Sequence, residues 1–362
     1  MKTNETISIL APNLGGKGGT ENVLKTVLGS SFLTTMFRFE LILIDRPQSL
    51  QWLESFDEKT NYQILENNRP RIQEIFHYLR NCKSNMVIVL GPRLALIARI
   101  VKLLFKKKYK IVSWIHFSLS GSTIMNPWFL RFADAHLAIS SQMIPQFKNL
   151  GIPENKVKVV LNPVTRLPEI TTPYNRSDSE VNLLYVGRTM LDGQKNLRLL
   201  IDSVRCYAKS QTKMIVLHII GSGGNQQVKD YFDLQQKEEN VPNLRCIFYG
   251  WKDEPWSQLS SVDAFVLTSS FEGFGLVVAE AIAHNIPVAT TNYQIGAEDI
   301  IVSGKNGTIS HTETPEDIAK AINESVSYSY VQRELLYKTI ENLYEDHYIR
   351  RFAEALHKIL IS

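Results

Sequence analysis

The chain has 362 residues, 44% hydrophobic and 21% charged, with a net charge of +4; these values fit a folded protein with room for two cores and exclude a disordered chain. The three cysteines, Cys82, Cys206 and Cys246, are odd in number and far apart, with no C-x-x-C pair and no histidine cluster at zinc spacing, so a reducing cytoplasm and no structural metal are expected. Residues 1–160 hold 21 basic against 11 acidic side chains and the remainder 19 against 25, so the first half is the one suited to an anionic surface.

The N-terminus leads directly into the strand-like Ile7-Ser8-Ile9-Leu10-Ala11, without the apolar region or cleavage site of a signal peptide. Further short apolar runs predict strands at 39–45, 86–90, 110–115, 135–139 and 157–161, then at 181–186, 214–220, 244–249, 264–267 and 286–290. They alternate with helical patterns, which predicts parallel sheets built from βαβ units. A Pro-, Thr- and Ser-rich stretch, 166–178, separates the two series as a linker. The expected fold class is therefore α/β, with two doubly wound Rossmann-like domains facing each other across a cleft. Their expected extents are 1–165 and 166–340, with a final helix in 341–362 returning to pack on the first domain. The mostly apolar run from Met86 to Phe105 is broken by Gly91-Pro92 and charged at Arg93, Arg99 and Lys102, which argues against a membrane-spanning helix.

Polar motifs fall at strand ends. After the first strand, Gly15-Gly16-Lys17-Gly18-Gly19-Thr20-Glu21 opens a helical pattern; its glycines either admit a ligand to the backbone or serve only as a turn. The third glycine or alanine of a dinucleotide fingerprint is missing, and there is no G-K-[ST]. His116 ends the fourth candidate strand, where it is either a satisfied core residue or a side chain delivered to a site. After the strand 181–186, Arg188 and Lys195 could neutralise a diphosphate, or form an ordinary solvated basic loop. After 264–267, the stretch Phe271-Glu272-Gly273-Phe274-Gly275-Leu276-Val277-Val278-Ala279-Glu280 reads as a loop followed by a helix. Its two carboxylates lie eight positions apart, the second expected a little over two turns into the helix, and its glycines leave N–H groups at a helix start for an anion. A donor carrying both phosphate and hydroxyls suits this arrangement.

Together these residues resemble the retaining GT-B glycosyltransferases, a large family that includes many bacterial lipopolysaccharide, exopolysaccharide and teichoic-acid sugar transferases. Glu272 and Glu280 match its E-x7-E pattern, and Gly187, Arg188 and Lys195, the Gly18-Gly19-Thr20-Glu21 loop and His116 occur in the family's order. More narrowly, Ser113–Leu119, Ala138–Ser141, Asn162–Val164, Gly193–Lys195 and Thr268–Phe274 are similar to lipopolysaccharide 1,6-galactosyltransferases. The resemblance implies a UDP-sugar donor, UDP-galactose first and UDP-glucose next, and a glycan or glycolipid acceptor. It assigns Arg188 and Lys195 to the donor diphosphate and Glu280 to the ribose. Glu272 would hold the sugar hydroxyls beside Gly273 and the N–H groups of Phe274, Gly275 and Leu276. Gly18 and Gly19 would meet the diphosphate from the first domain, His116 would face the sugar, and Trp251 lies where such enzymes hold the base. Two departures stand out: six residues separate Arg188 from Lys195, and Phe117 follows His116 where many relatives have Asp.

No D-x-D sequence occurs, so a reaction without a divalent metal and without a further cofactor is expected, the cations acting by electrostatic preorganisation. A non-catalytic binding or chaperone subunit and a nucleotide-sugar epimerase are the competing readings. Between Glu74 and Asp134 there is no acidic residue, while Arg93, Arg99, Lys102, Lys106, Lys107, Lys108 and Lys110 crowd one helical stretch and its end. This segment suits either peripheral contact with the inner face of an anionic membrane or a half-buried core helix with a lysine-rich C-terminus. Nucleic acid is disfavoured, because no aromatic-basic motif accompanies the charge.

Overall fold

The structure, a computed structural model, describes residues 5–12, 14–15, 18–47, 49, 51–54, 56, 61–65, 70–119, 126–167, 177–328 and 335–362. The chain divides into two compact units: Met1–Pro163 with Glu345–Ser362, and Val164–Tyr344.

The first unit is built on a parallel sheet of seven strands, β1 (Thr6–Ala11), β2 (Arg38–Leu43), β3 (Asn61–Ile64), β4 (Met86–Val89), β5 (Lys110–Ile115), β6 (Ala135–Ala138) and β7 (Val157–Val159), in the order β3-β2-β1-β4-β5-β6-β7. The central strands are buried along their length, as parallel strands covered by helices on both faces must be. A core cluster joins Leu10, Val87, Val89 and Ile111 of the sheet to Leu79 of the helix Arg71–Asn81 and to Leu94, Ala95, Ala98 and Val101 of the helix Pro92–Leu104. The last helix, Glu345–Ile361, belongs to this unit: Phe352 packs against Trp114 of β5, ring centroids 5.0 Å apart, and Arg351 Nε donates to the Val160 carbonyl at 2.7 Å.

The second unit has six parallel strands, β8 (Glu180–Val186), β9 (Met214–Ile220), β10 (Leu244–Gly250), β11 (Ala264–Leu267), β12 (Val288–Thr290) and β13 (Gly307–Ile309), in the order β10-β9-β8-β11-β12-β13. Both sheets run outward in two directions from a central pair, the doubly wound arrangement expected of βαβ repeats. β3 and β13 were not among the predicted strands. Asn-Tyr-Gln-Ile is an exposed edge with no apolar run, and Gly-Thr-Ile is only three residues long. Most of the expected linker, residues 168–176, lies outside the described residues.

The basic segment needs a correction. Arg99 and Lys102 do not form an open cationic face: their side chains reach Asp134 at 2.5 and 2.9 Å, and Arg99 Nε also donates to the Phe132 carbonyl at 2.9 Å. Asp134 further accepts the Ile111 N–H, and these contacts together hold its carboxyl below the usual range against the opposing effect of burial. Arg93 at the helix start and Lys106 and Lys108 beyond its end remain exposed. Among the described residues, no helix is long and apolar enough to cross a membrane.

Candidate donor site

In the second unit β8 and β11 lie side by side where the winding of the sheet reverses, and in such sheets ligands sit beyond the carboxyl ends of that pair. The two loops that leave these strands are tied together. The Ser270 N–H donates to the Gln194 carbonyl at 2.9 Å, Thr268 Oγ1 to the Asn196 carbonyl at 3.0 Å, and Gln194 Nε2 to the Phe271 carbonyl at 3.2 Å. Asn196 takes a left-handed conformation and its Oδ1 accepts the Leu199 N–H, capping the helix Leu197–Lys209 and ending the loop sharply after Lys195.

This cross-linking brings Lys195 and Glu272 together. Lys195 Nζ donates to Glu272 Oε1 at 2.6 Å, and both residues are only 8% exposed. Two opposite charges held so far from water need one another, because either alone carries an unreturned desolvation cost of several kcal/mol. Arg188 stays exposed at the rim, its guanidinium donating to Gln194 Oε1 at 2.5 Å while the Tyr185 hydroxyl donates to its carbonyl.

After Glu272 the chain turns through Phe274 and Gly275 into the helix Leu276–Ala283. Gly275 has φ +84°, and a Cβ there would meet the Tyr293 hydroxyl at 2.3 Å, so the turn admits glycine alone without displacement. Helix geometry leaves the N–H groups of Phe274, Gly275 and Leu276 without intrahelical acceptors beside the Glu272 carboxylate, a local field suited to hydroxyls and phosphate oxygens. Glu280 lies just over one turn into this helix, nearer its start than the sequence suggested. Burial raises its pKa, while a hydrogen bond from the Trp256 indole acts in the opposite sense.

Trp251 is not part of this cluster. It is 55% exposed beyond β10, and its indole N–H meets Asp253 Oδ1 at 3.3 Å. The preceding Tyr249 joins a separate polar chain, its hydroxyl 2.9 Å from His218 Nδ1 while His218 Nε2 lies 3.0 Å from Asn182 Oδ1.

In the first unit His116 follows β5 directly. Its ring lies against Trp114 with centroids 4.7 Å apart, yet both ring nitrogens are buried and neither has a hydrogen-bond partner among the described residues. Burial pushes its pKa down to about 3. Folded His116 stays neutral while the unfolded chain takes up a proton below about pH 6.5, so stability should fall as pH drops from about 6.5 toward 3. In urea unfolding at pH 7, 6 and 5, His116→Asn should flatten that slope by up to about 1.4 kcal/mol per pH unit; parallel slopes would contradict it. Gly18 precedes the helix Gly19–Gly29, whose buried Glu21 carboxylate would lie 2.6 Å from a Cβ at Gly18, while residues 13, 16 and 17 of that loop lie outside the described residues.

Residues 168–345 match the family model for glycosyl transferases group 1. Over 98% of both chains, the protein is 27% identical to the lipopolysaccharide 1,6-galactosyltransferase of Escherichia coli strain K12. It is also 27% identical to the solved lipopolysaccharide outer core galactosyltransferase WaaB in its apo form, with a TM-score of 0.83, covering 98% of this chain and 99% of the other. The fold is GT-B, and residues 168–345 carry a glycosyl transferases group 1 domain. Anabaena HepE, solved in complex with UDP-glucose, shares the fold at 17% identity and a TM-score of 0.74, over 98% and 99% of the two chains.

The glycosyltransferase contains one candidate residue that the motifs did not mark. Trp256, on the short 3-10 turn Pro255–Ser257, stacks on His284 with centroids 5.1 Å apart and hydrogen-bonds Glu280. No period or spacing marks it in the sequence; only its closeness to Trp251 hints at an aromatic segment.

Proposed function

We propose that this glycosyltransferase moves a hexosyl group, galactose first and glucose next, from a UDP-sugar to a hydroxyl of a cell-surface glycan, glycolipid or glycopolymer precursor. The anomeric configuration is retained and no divalent metal takes part. The enzyme works in the cytoplasm at the inner face of the plasma membrane. The observation that carries the reading is the buried Lys195–Glu272 pair at the carboxyl ends of β8 and β11, joined to the galactosyltransferase activity of two relatives matched over 98% of their own length.

Arg188 and Lys195 take the diphosphate, where negative charge grows as the bond to the sugar breaks, and act by standing ready before it does. Glu272 and the adjacent helix-start N–H groups take the sugar hydroxyls. Glu280, steadied by Trp256, takes the ribose diol. In this reading the two carboxylates bind rather than shuttle protons, so front-side attack is favoured, the donor phosphate accepting the acceptor's proton. His116 is assigned to the reacting sugar, a choice supported by two ring nitrogens that have no hydrogen-bond partner among the described residues.

Transfer from UDP-galactose should persist in excess EDTA and give a product with the donor's anomeric configuration by NMR. Arg188→Ala should lower kcat/KM by about 100-fold, the scale of one lost charge-stabilising donor. Turnover unchanged in Arg188→Ala, or abolished by EDTA, would count against this mechanism.

A further inference from the structure

Of the two cations proposed for the diphosphate, Lys195 is already paired with Glu272, whereas Arg188 faces a neutral partner. Among the described residues its guanidinium forms no ion pair, and Nη2 donates to Gln194 Oε1 at 2.5 Å. A neutral acceptor fixes the direction of the guanidinium fork and leaves its full charge for an incoming anion; a carboxylate in the same place would cancel that charge.

The Gln194 amide fits in one sense only. Arginine can only donate and a backbone carbonyl can only accept, so Oε1 must face Arg188 and Nε2 the Phe271 carbonyl, 3.2 Å away. Glu272 follows that carbonyl directly, so a single amide joins the Arg188 guanidinium to the loop proposed to hold the sugar. The side chain is not needed to close its own loop. The Thr189 N–H donates to the Ser222 carbonyl at 3.0 Å, and the Leu197 and Arg198 N–H groups to the Met190 and Leu191 carbonyls at 3.0 and 2.9 Å. Arg198 grips the Asp192 carboxylate at 2.7 and 2.9 Å, and the Gln194 carbonyl takes the Ser270 N–H at 2.9 Å. Fixed at these points, the six residues between Arg188 and Lys195 keep their course whatever side chain stands at 194, which frees the amide to serve Arg188. The Arg188 main chain is held separately, its carbonyl accepting from the hydroxyl of the buried Tyr185 at 2.7 Å.

We propose that Gln194 is a positioning residue for donor binding, holding the Arg188 guanidinium ready for the diphosphate without neutralising it. The inference rests on the assignment of Arg188 to the diphosphate and adds the residue that orders it. A long side chain left free loses its rotamer freedom when it captures a ligand, which weakens binding by up to about 10-fold; one ordered in advance avoids that loss.

The test measures the affinity of the full chain for UDP and for uridine, which has no phosphate, together with transfer from UDP-galactose. Gln194→Leu, similar in bulk and without a polar atom, should weaken UDP by about 10-fold and leave uridine binding and the melting temperature unchanged. Gln194→Glu should weaken UDP at least as much, because its carboxylate competes with the diphosphate for the same fork. In an Arg188→Ala background Gln194→Leu should lower kcat/KM by less than about 2-fold, since a residue that acts through another adds nothing once that other is gone. Wild-type affinity for UDP in either Gln194 variant, an equal loss of uridine binding, or losses that add in the double variant would overturn the role of Gln194. UDP affinity unchanged in Arg188→Ala alone would instead overturn the diphosphate assignment on which that role rests.

Discussion

Replacing Lys195 with Met is expected to lower kcat/KM for sugar transfer by about 100- to 1,000-fold, the range for loss of one preorganised charge partner. The same change strands the Glu272 carboxylate, which is 8% exposed and has Lys195 Nζ at 2.6 Å. Breaking a buried pair from one side costs about 3–5 kcal/mol of stability. The two effects separate in the double variant Lys195→Met/Glu272→Gln, which removes both charges and leaves a neutral amide that needs no counterion. Its melting temperature should return most of the way to wild type while transfer stays low. If activity returned along with stability, the pair would be a structural brace and no part of the donor site.

Gly296→Ala should disable the same site from a distance. Gly296 has φ +94°, and a Cβ there would stand 1.9 Å from the Phe274 carbonyl oxygen, a backbone atom that can move only by shifting the turn Gly273–Gly275. Opposite that turn sits the buried Tyr293, whose hydroxyl lies 3.5 Å from the same carbonyl. Combining an unfavourable φ with a displaced backbone gives an expected loss of about 2–4 kcal/mol. Because the N–H groups of Phe274 to Leu276 move with the turn, KM for the donor should rise along with the fall in melting temperature. Gly304→Ala is the matched control: φ is +74°, but nothing lies within 4 Å of its Cβ. It should show the conformational cost alone, with donor KM unchanged. Equal donor KM values in the two variants would refute the coupling.

The central strands could be read from the chain because parallel strands covered on both faces are continuous apolar runs, as at Met86–Val89 and Ala264–Leu267. The edges could not: β3 carries polar, exposed side chains, and β13 is too short to show a pattern. Arg188, Lys195, Glu272 and Glu280 were visible as motif positions, but the contact between Lys195 and Glu272 was not. They lie 77 residues apart, and no local rule couples the ends of β8 and β11. Likewise, the charge of Arg99 and Lys102 was evident while its neutralisation by Asp134, more than thirty residues on, required the packed helix and strand. Trp256 escaped for a similar reason, since its partners His284 and Glu280 come from a helix beyond the next strand.

Calorimetric titration of UDP-galactose, UDP-glucose, GDP-mannose and ADP-glucose into the full chain, without divalent ions, tests the central claim most directly. The account predicts binding of the UDP-hexoses, galactose first, with weak or no binding of the others. It also predicts that binding is lost in the folded Lys195→Met/Glu272→Gln variant. Failure of every nucleotide sugar to bind, or equal binding by that variant, would contradict it.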